Sequence, residues 1–334
     1  MRNETRLAYA MYVARLAELN GIADATVKFS ATPSVQQTLE TKMQESSSFL
    51  TAINVIGVDE LKGEKVGLGI TGTIAGRTDT SGAGVRTPRN VVDTSANDYE
   101  CKQTDFDTAI PYGLLDAWAK FPDFQVRIRD AILKRQALDR IMIGFNGTSA
   151  AATSNRATNP LLQDVNIGWL QKYRVDAAAR VMTGGATAGS VKVGAGGDYK
   201  NLDALVYDAL ELIDPWFRKD PSLVVVTGRD LVHDKYFTLI NDNQVPTEKQ
   251  AVDLMLSKVR AGGLPVAEVP FIPDGTLMIT SLQNLSIYWQ IGGRRRFIKE
   301  APEKNQVQNF ESSNDAYVVE DYGFGCVVEN IELV

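Results

Sequence analysis

The chain has 334 residues, 44% of them hydrophobic, a formal net charge of −6, two cysteines and one histidine. Such a length and apolar content allow a substantial core and about two domains. The single His233 excludes multi-histidine metal centres and leaves any histidine triad resting on one residue of a predicted helix, while the acidic balance excludes broad nucleic-acid binding, which needs clustered Lys and Arg.

The first helix is predicted from Glu4 to Asn20, capped by Asn3 and stopped by Gly21. It is charged and amphipathic, unlike a secretory signal, and no run of about 18 apolar residues occurs in the chain, so nothing points to a membrane or to export. It reads as a detachable element. Residues 23–30 form a break, and Thr32-Pro33 opens a second helix with Val35, Leu39, Met43 and Leu50 on one face.

Lys62 to Asn97 is polar and rich in Gly and Thr, yet it starts with strand periodicity: Val66, Leu68, Ile70 and Ile74 alternate with Gly67, Gly69, Thr71, Thr73 and Ala75. A loose tip follows, from Arg77 through Gly84 to Arg86, Pro88 and Arg89, and an extended pattern resumes from Asp98 to Pro111. This predicts one long hairpin. Arms of roughly twelve residues at about 3.3 Å each reach ~40 Å, and a ribbon so poor in side chains is marginal alone. It therefore needs a partner surface, and another subunit is the favoured one.

Leu114 to Phe145 has a helical stripe of Phe124, Ile128, Ala131, Ile132, Leu138, Met142 and Phe145, with Arg129, Asp130, Lys134 and Arg140 placed away from it. Pro122 splits this element, so the long portion starts there and stops at Gly144 to Gly147. Asn159-Pro160 predicts a helix through about Val181, and Gly184 to Gly197 reads as a flexible break. A compact α+β unit follows. Its helices are predicted at Asn201 to Ile213, Asp230 to Ile240 and Glu248 to Arg260; its strands at Leu223 to Thr227, Val266 to Phe271, Leu277 to Thr280 and Leu285 to Gln290. The tail from about Arg294 is strand-rich, with Ala316 to Asp321 and Cys326 to Leu333 separated by Tyr322-Gly323-Phe324-Gly325.

Chemistry-bearing motifs are few. Gly67-Leu68-Gly69-Ile70-Thr71-Gly72 matches a dinucleotide fingerprint by letter, but no helix pattern begins at these glycines to receive a pyrophosphate. No cofactor is expected, and no catalytic or metal-ligating set emerges. Arg294-Arg295-Arg296 after Gly292-Gly293 reads equally as a solvated charge run or as an intersubunit ion-pairing group. Glu320 and Asp321 fall on opposite strand faces and make no acid/base pair. Asp214-Pro215 and Asp220-Pro221 bracket Trp216-Phe217 as a structural corner. Cys101 and Cys326 are expected as free thiols.

Long ordered stretches carry a resemblance: RLAELNGI from Arg15, MQESSSFL from Met43, DFQVRIRDAILKRQALD from Asp123 and GFNG from Gly144. NPLLQDVNIGWLQKYR from Asn159, GGDYKNLDALVYDA from Gly196 and YVVEDYGFGCVVE from Tyr317 extend it over nearly the whole chain. The chain resembles the major capsid proteins of Peduovirus-type tailed bacteriophages, which adopt the α+β Hong Kong 97 capsid fold. The resemblance implies a non-enzymatic shell subunit with an extended loop at 61–111 lying over a neighbour and an N-arm at 31–60. It implies a peripheral domain at 112–200 with a long spine helix, completed by strands at 294–334, and an axial domain at 201–293. Residues 1–30 become a scaffold-facing extension, with Phe29 and Ser30 as the candidate processing junction.

The implied partners are copies of the chain as pentamers and hexamers, an internal scaffold or scaffold-protease, a portal, packaged double-stranded DNA bound without sequence specificity, and decoration proteins where shells carry them. No membrane is among them. Candidate intersubunit residues are Val66, Leu68, Ile70, Arg77, Arg86, Arg89, Arg294, Arg295 and Arg296. Lys62 and Lys65 lie near the ribbon, and no cross-link is expected, since no matching partner and acid catalyst stand out. The alternatives are a soluble enzyme using carboxylates of the 201–293 unit and a host encapsulating-compartment protein of the same fold.

Overall fold

A computed structural model describes residues 1–65, 74–81, 85–88, 98–119, 121, 123–232 and 260–334. Val66, Leu68, Ile70, Gly67 to Gly72 as a motif, Arg89, Pro122, His233 and most of the helices predicted near 230–260 lie outside these residues.

Asn3–Asn20 forms helix α1, closed by Gly21 at φ 62°. Glycine takes this left-handed position without a Cβ penalty, and the N–H of Ile22 returns to the Ala17 carbonyl at 2.9 Å. The N-cap is Arg2 rather than Asn3. Asp116 supports it by accepting from the Arg2 backbone N–H and the Thr5 hydroxyl. Tyr9, Tyr12 and Leu16 pack on a small core of Leu115, Ile128, Ile132, Ile298 and Val307. Thus α1 is docked on the body, not detached.

Strand β1 (Phe29–Ser30) precedes helix α2 (Pro33–Glu45), which has Pro33 in its first turn as predicted. Its buried side chains are Gln36, Glu40 and Met43, so the inward face is largely polar instead of the expected apolar row. Leu50 belongs to a separate helix, α3 (Ser48–Ala52), because Ser47 caps a new start there. Strands β2 (Asn54–Val58) and β3 (Lys62–Glu64) follow. Beyond the ribbon come β4 (Asp98–Glu100), β5 (Lys102–Asp105) and β6 (Thr108–Pro111).

The element is split near residue 122 as expected, into α4 (Tyr112–Trp118) and α5 (Phe124–Asn146), with Gly147 as C-cap of the second. On α5 Ala131 is exposed and Arg140 is only 2% exposed, reversing the placement expected for both. Residues 159–168 are turns rather than helix. Asp164 accepts from the Asn155 N–H and the Asn159 amide, and Leu162 sits at φ 59°, so side-chain bonding to local groups displaces the helical pattern. Helix α6 is confined to Trp169–Asp176.

Strands β7 (Val181–Met182) and β8 (Val191–Val193) then frame the glycine-rich segment. It is built: Val191 is fully buried and Asp198 accepts from the N–H groups of Lys192 and Ala186. Helix α7 (Leu202–Ala209) and strands β9 (Leu223–Thr227), β10 (Arg260–Ala261), β11 (Leu264–Glu268), β12 (Leu277–Ser281) and β13 (Leu285–Gln290) follow. The tail supplies β14 (Arg295–Ala301), β15 (Gln306–Val319), β16 (Gly325–Val328) and β17 (Ile331–Leu333).

Among the described residues, one seven-stranded sheet has the path β1-β14-β15-β13-β2, with β5 and β6 also pairing β15, and a six-stranded sheet has the order β10-β11-β9-β12-β16-β7. The ribbon root pairs β3 with β4, Gly63 facing Tyr99. The return arm then leaves the hairpin, because β5 and β6 join β15. The sheets also exchange strands relative to chain order: β13 lies in the first sheet and β16 in the second. The 201–293 segment is therefore not closed on itself. Besides the long helical connection from β6 to β7, two short chain crossings, 281–285 and 319–325, run between the sheets. Asn284 clasps them, its amide donating to the Asp321 carbonyl and its side-chain oxygen accepting from the Asp321 N–H, both at 2.8 Å.

The main core lies between α3, α5, α6 and the sheets. Fully buried Trp169 is ringed by Phe49, Phe145 and Tyr317 with centroids 5.2–6.0 Å away. A Cβ on Gly144 would lie 2.2 Å from the Trp169 ring, so glycine at this helical position is what lets α6 approach α5. A second core packs α7 on the six-stranded sheet through Leu205, Val206, Val225, Ile279 and Cys326. Both cysteines are buried free thiols.

Candidate assembly interface

The densest polar site is enclosed where α2, α5 and β15 meet. Glu40 lies between two guanidinium groups: Arg294 Nη1 donates to its Oε1 at 2.7 Å, and Arg140 donates to both of its oxygens. Arg140 also spans Asp315 through Nε at 3.2 Å and Nη2 at 3.1 Å. Arg294 Nε donates to Glu311 at 2.6 Å and its Nη2 to Gln136 at 2.8 Å, while the Gln136 amide donates to Glu311 at 3.1 Å. Ser313 donates to Asp315. Every one of these side chains is buried.

Beside this network, Gln36 donates to the Gln290 carbonyl at 2.9 Å and accepts from the Gly292 N–H at 2.8 Å. Gly292 takes φ 73°, so the turn between β13 and β14 is shaped to meet α2. Helix α2 is thus held by directed polar contacts.

The electrostatics follow from the packing. Burial pushes the Glu40 carboxyl up, but Arg140 and Arg294 outweigh it and leave Glu40 below the usual carboxylate range. Glu311 behaves alike: burial is overcome by Arg294 and Arg296, bringing it down to about 2. For Asp315 burial wins over Arg140 and the carboxyl is raised. Guanidinium cannot give up its proton, and the carboxylates and the Ser313 hydroxyl are engaged with partners inside the network and buried. The network fixes elements in place. Buried ion pairs of this kind add little net stability against an apolar alternative, yet losing one partner costs about 3–5 kcal/mol.

The sequence candidates do not converge on one place. Arg294, expected in solvent or at a subunit boundary, is consumed inside its own chain. Arg295 is exposed on β14, and Arg296 is mostly buried, donating to Asn309 at 2.8 Å and to the Tyr12 hydroxyl at 3.1 Å. Phe29 and Ser30 pair with Arg296 and Arg295 as an edge strand. Arg77 and Arg86 are exposed. Sequence reading missed Glu40, Gln136, Arg140, Glu311 and Asp315. A signal for part of the set was present: Gln36 and Glu40, like Gln136 and Arg140, are spaced i,i+4 within rows of otherwise buried positions. An open cleft of about 640 Å³ is lined by Asp107, Arg135, Asp139 and Arg156 among others. Among the described residues no cluster of three or more His, Cys, Asp or Glu is arranged to hold a metal.

Residues 8–331 match the profile described as phage major capsid protein, P2 family. The chain is 52% identical over 342 residues to the capsid proteins of Escherichia phage P2, covering 100% of this chain and 96% of that relative. Against the major capsid protein of Serratia phage KSP20 it is 43% identical over 343 residues, covering 99% and 97%. It superposes on a chain of the satellite phage P4 procapsid that includes the size determination (Sid) protein, with TM-score 0.84, 49% identity and coverage of 100% and 99%. A capsid chain of a native GTA particle shares the fold at TM-score 0.52 and 16% identity, covering 86% and 91%. The enclosed charge network, the ribbon root and the two strand-exchanging sheets are thus parts of a shell-building subunit and not of an enzyme: the chain belongs to the P2 family of phage major capsid proteins, with the Hong Kong 97 capsid fold, and is a component of the virion capsid.

Proposed function

We propose that copies of this chain, as pentamers and hexamers, close an icosahedral shell around double-stranded DNA, each subunit laying its 61–111 loop on a neighbour. Closed symmetry lets one set of contacts repeat until the shell is complete. The observation that carries this reading is the exposure of the ribbon: all described residues at 74–81 and 85–88 are exposed, including Ile74 at 64% and Val85 at 80%. These described residues leave most of their surface uncovered by their own subunit, and apolar groups left outside mark a contact surface.

The remaining partners are an internal scaffold or scaffold-protease, a portal and, in shells that carry them, decoration proteins. The net charge of −6 supports packaged DNA held without sequence-specific grip. Residues 1–30 face the scaffold in this reading, with processing at Phe29 and Ser30, which lie on an extended edge strand of the kind proteases bind. Residues 31–60 form the N-arm, 112–200 with 294–334 the peripheral domain, and 201–293 the axial domain apart from the strands exchanged.

Replacing 77–89 with a short turn and co-expressing the chain with its scaffold tests the loop assignment. The expected result is a folded subunit with a particle yield reduced at least tenfold, scored by negative-stain microscopy. Uniform particles at unchanged yield would remove the neighbour-contact role. The intact mass of wild-type particles from the same preparation reports on processing, and a retained Met1 would exclude it.

A further inference from the structure

The ribbon root is a built joint. On one side Tyr99 covers Gly63, whose absent Cβ would lie 3.0 Å from the Tyr99 hydroxyl, and its ring meets Tyr288 edge-on with centroids 5.0 Å apart. Tyr99, Cys101, Tyr288 and Val318 form a separate small core beneath the root. On the other side Lys65, directly after β3, places its Nζ 4.5 Å from the centroid of the Tyr322 ring. Tyr322 is itself fixed. Its hydroxyl donates to Asp176 at 2.6 Å, and its ring meets Tyr173 edge-on at 5.4 Å.

Tyr322 belongs to the crossing between the two sheets, in the short turn Tyr322–Phe324. The arm is therefore attached at two separated points, one on the first sheet and one on the crossing. One point would leave it free to swing, and two define a direction.

We propose that Lys65 is a positioning residue for assembly, whose cation–π contact with Tyr322 sets the direction in which the 66–97 segment leaves the subunit. This rests on the reading that the segment contacts a neighbour. A subunit that presents its arm already aimed spends less orientational freedom on docking, and so assembles at a lower concentration. Burial, with Lys172, lowers the Lys65 pKa, while Asp176, Glu320 and Asp98 work against that shift and favour the ammonium that faces the Tyr322 ring. A cation on a partly desolvated aromatic face shifts an equilibrium by about 2- to 30-fold.

The test compares Lys65→Met, which keeps the stem and removes the charge, with Lys65→Arg, which keeps a cation that stacks well on an aromatic ring. Each is co-expressed with scaffold, and the subunit concentration needed for uniform particles is measured beside the subunit melting temperature. The expected result is a threshold raised about 3- to 10-fold for Lys65→Met at a melting temperature within about 2 °C of wild type, with Lys65→Arg within about twofold of wild type. Tyr322→Leu should reproduce Lys65→Met if it folds. Equal thresholds for wild type and Lys65→Met would overturn the proposal, as would failure of Lys65→Arg to rescue. A melting temperature that falls with assembly would assign Lys65 to stability alone. If replacement of 77–89 leaves assembly intact, the neighbour reading fails; if it blocks assembly while Lys65→Met does not, only the positioning role fails.

Discussion

Arg140 shows how much can rest on one side chain. It joins α2 to β15 through Glu40 and Asp315, and its removal leaves both carboxylates enclosed without it. Arg140→Met should lower unfolding free energy by about 3–5 kcal/mol, read from the denaturant midpoint, whereas a loss under about 1 kcal/mol would place the contact with solvated surface pairs. The same network predicts a response to acid. Glu311 titrates at about 2 when folded, against about 4.3 unfolded, so its stabilising contribution is complete above pH ~4.3 and disappears as pH falls toward 2. That difference corresponds to about 3 kcal/mol. Glu40, also lowered, adds to the loss, while Asp315, raised by burial, offsets part of it because its protonation relieves a buried charge. Denaturant midpoints between pH 6 and pH 3 should fall more steeply for the native chain than for Glu311→Gln, and equal slopes would count against the assignment. None of this was legible from residue type. An arginine row reads as solvated surface until the fold places carboxylates from α2 and β15 around it.

Elements were more legible than their partners. The ends of α1 and α5 and the strands β9, β12 and β13 fall close to where capping residues and apolar runs place them, because those signals act within a few residues. The predicted helix at 159–181 failed where asparagine and aspartate side chains captured local backbone groups, and the glycine segment at 184–197 proved ordered because Asp198 and β17 hold it. Gly144 joins local and distant levels. An alanine there gains about 1 kcal/mol in helix propensity, but its Cβ meets the Trp169 ring at 2.2 Å. Overpacking of a close-packed core costs about 1–3 kcal/mol or more and wins here, since Trp169 is enclosed on every side. Gly144→Ala should therefore lower the melting temperature by several degrees, and a rise would show that α6 can shift away from α5.

At the scale of the whole molecule, nearly full-length resemblance identified the architecture, whereas composition and spacing alone reached only a partner-seeking α+β chain with a poor catalytic inventory. The exchange of β13 and β16 between sheets was invisible to either, since strand patterns do not say which sheet a strand will join. That exchange has a mechanical meaning. Beside the long helical link from β6 to β7, the first sheet is tethered to the second by two short backbones side by side, pinned together at Asn284. A force pulling the sheets apart is shared by two covalent chains in parallel, as in a doubled rope, before either sheet is peeled strand by strand. For a container under outward pressure, such a seam makes the subunit a tie as well as a tile.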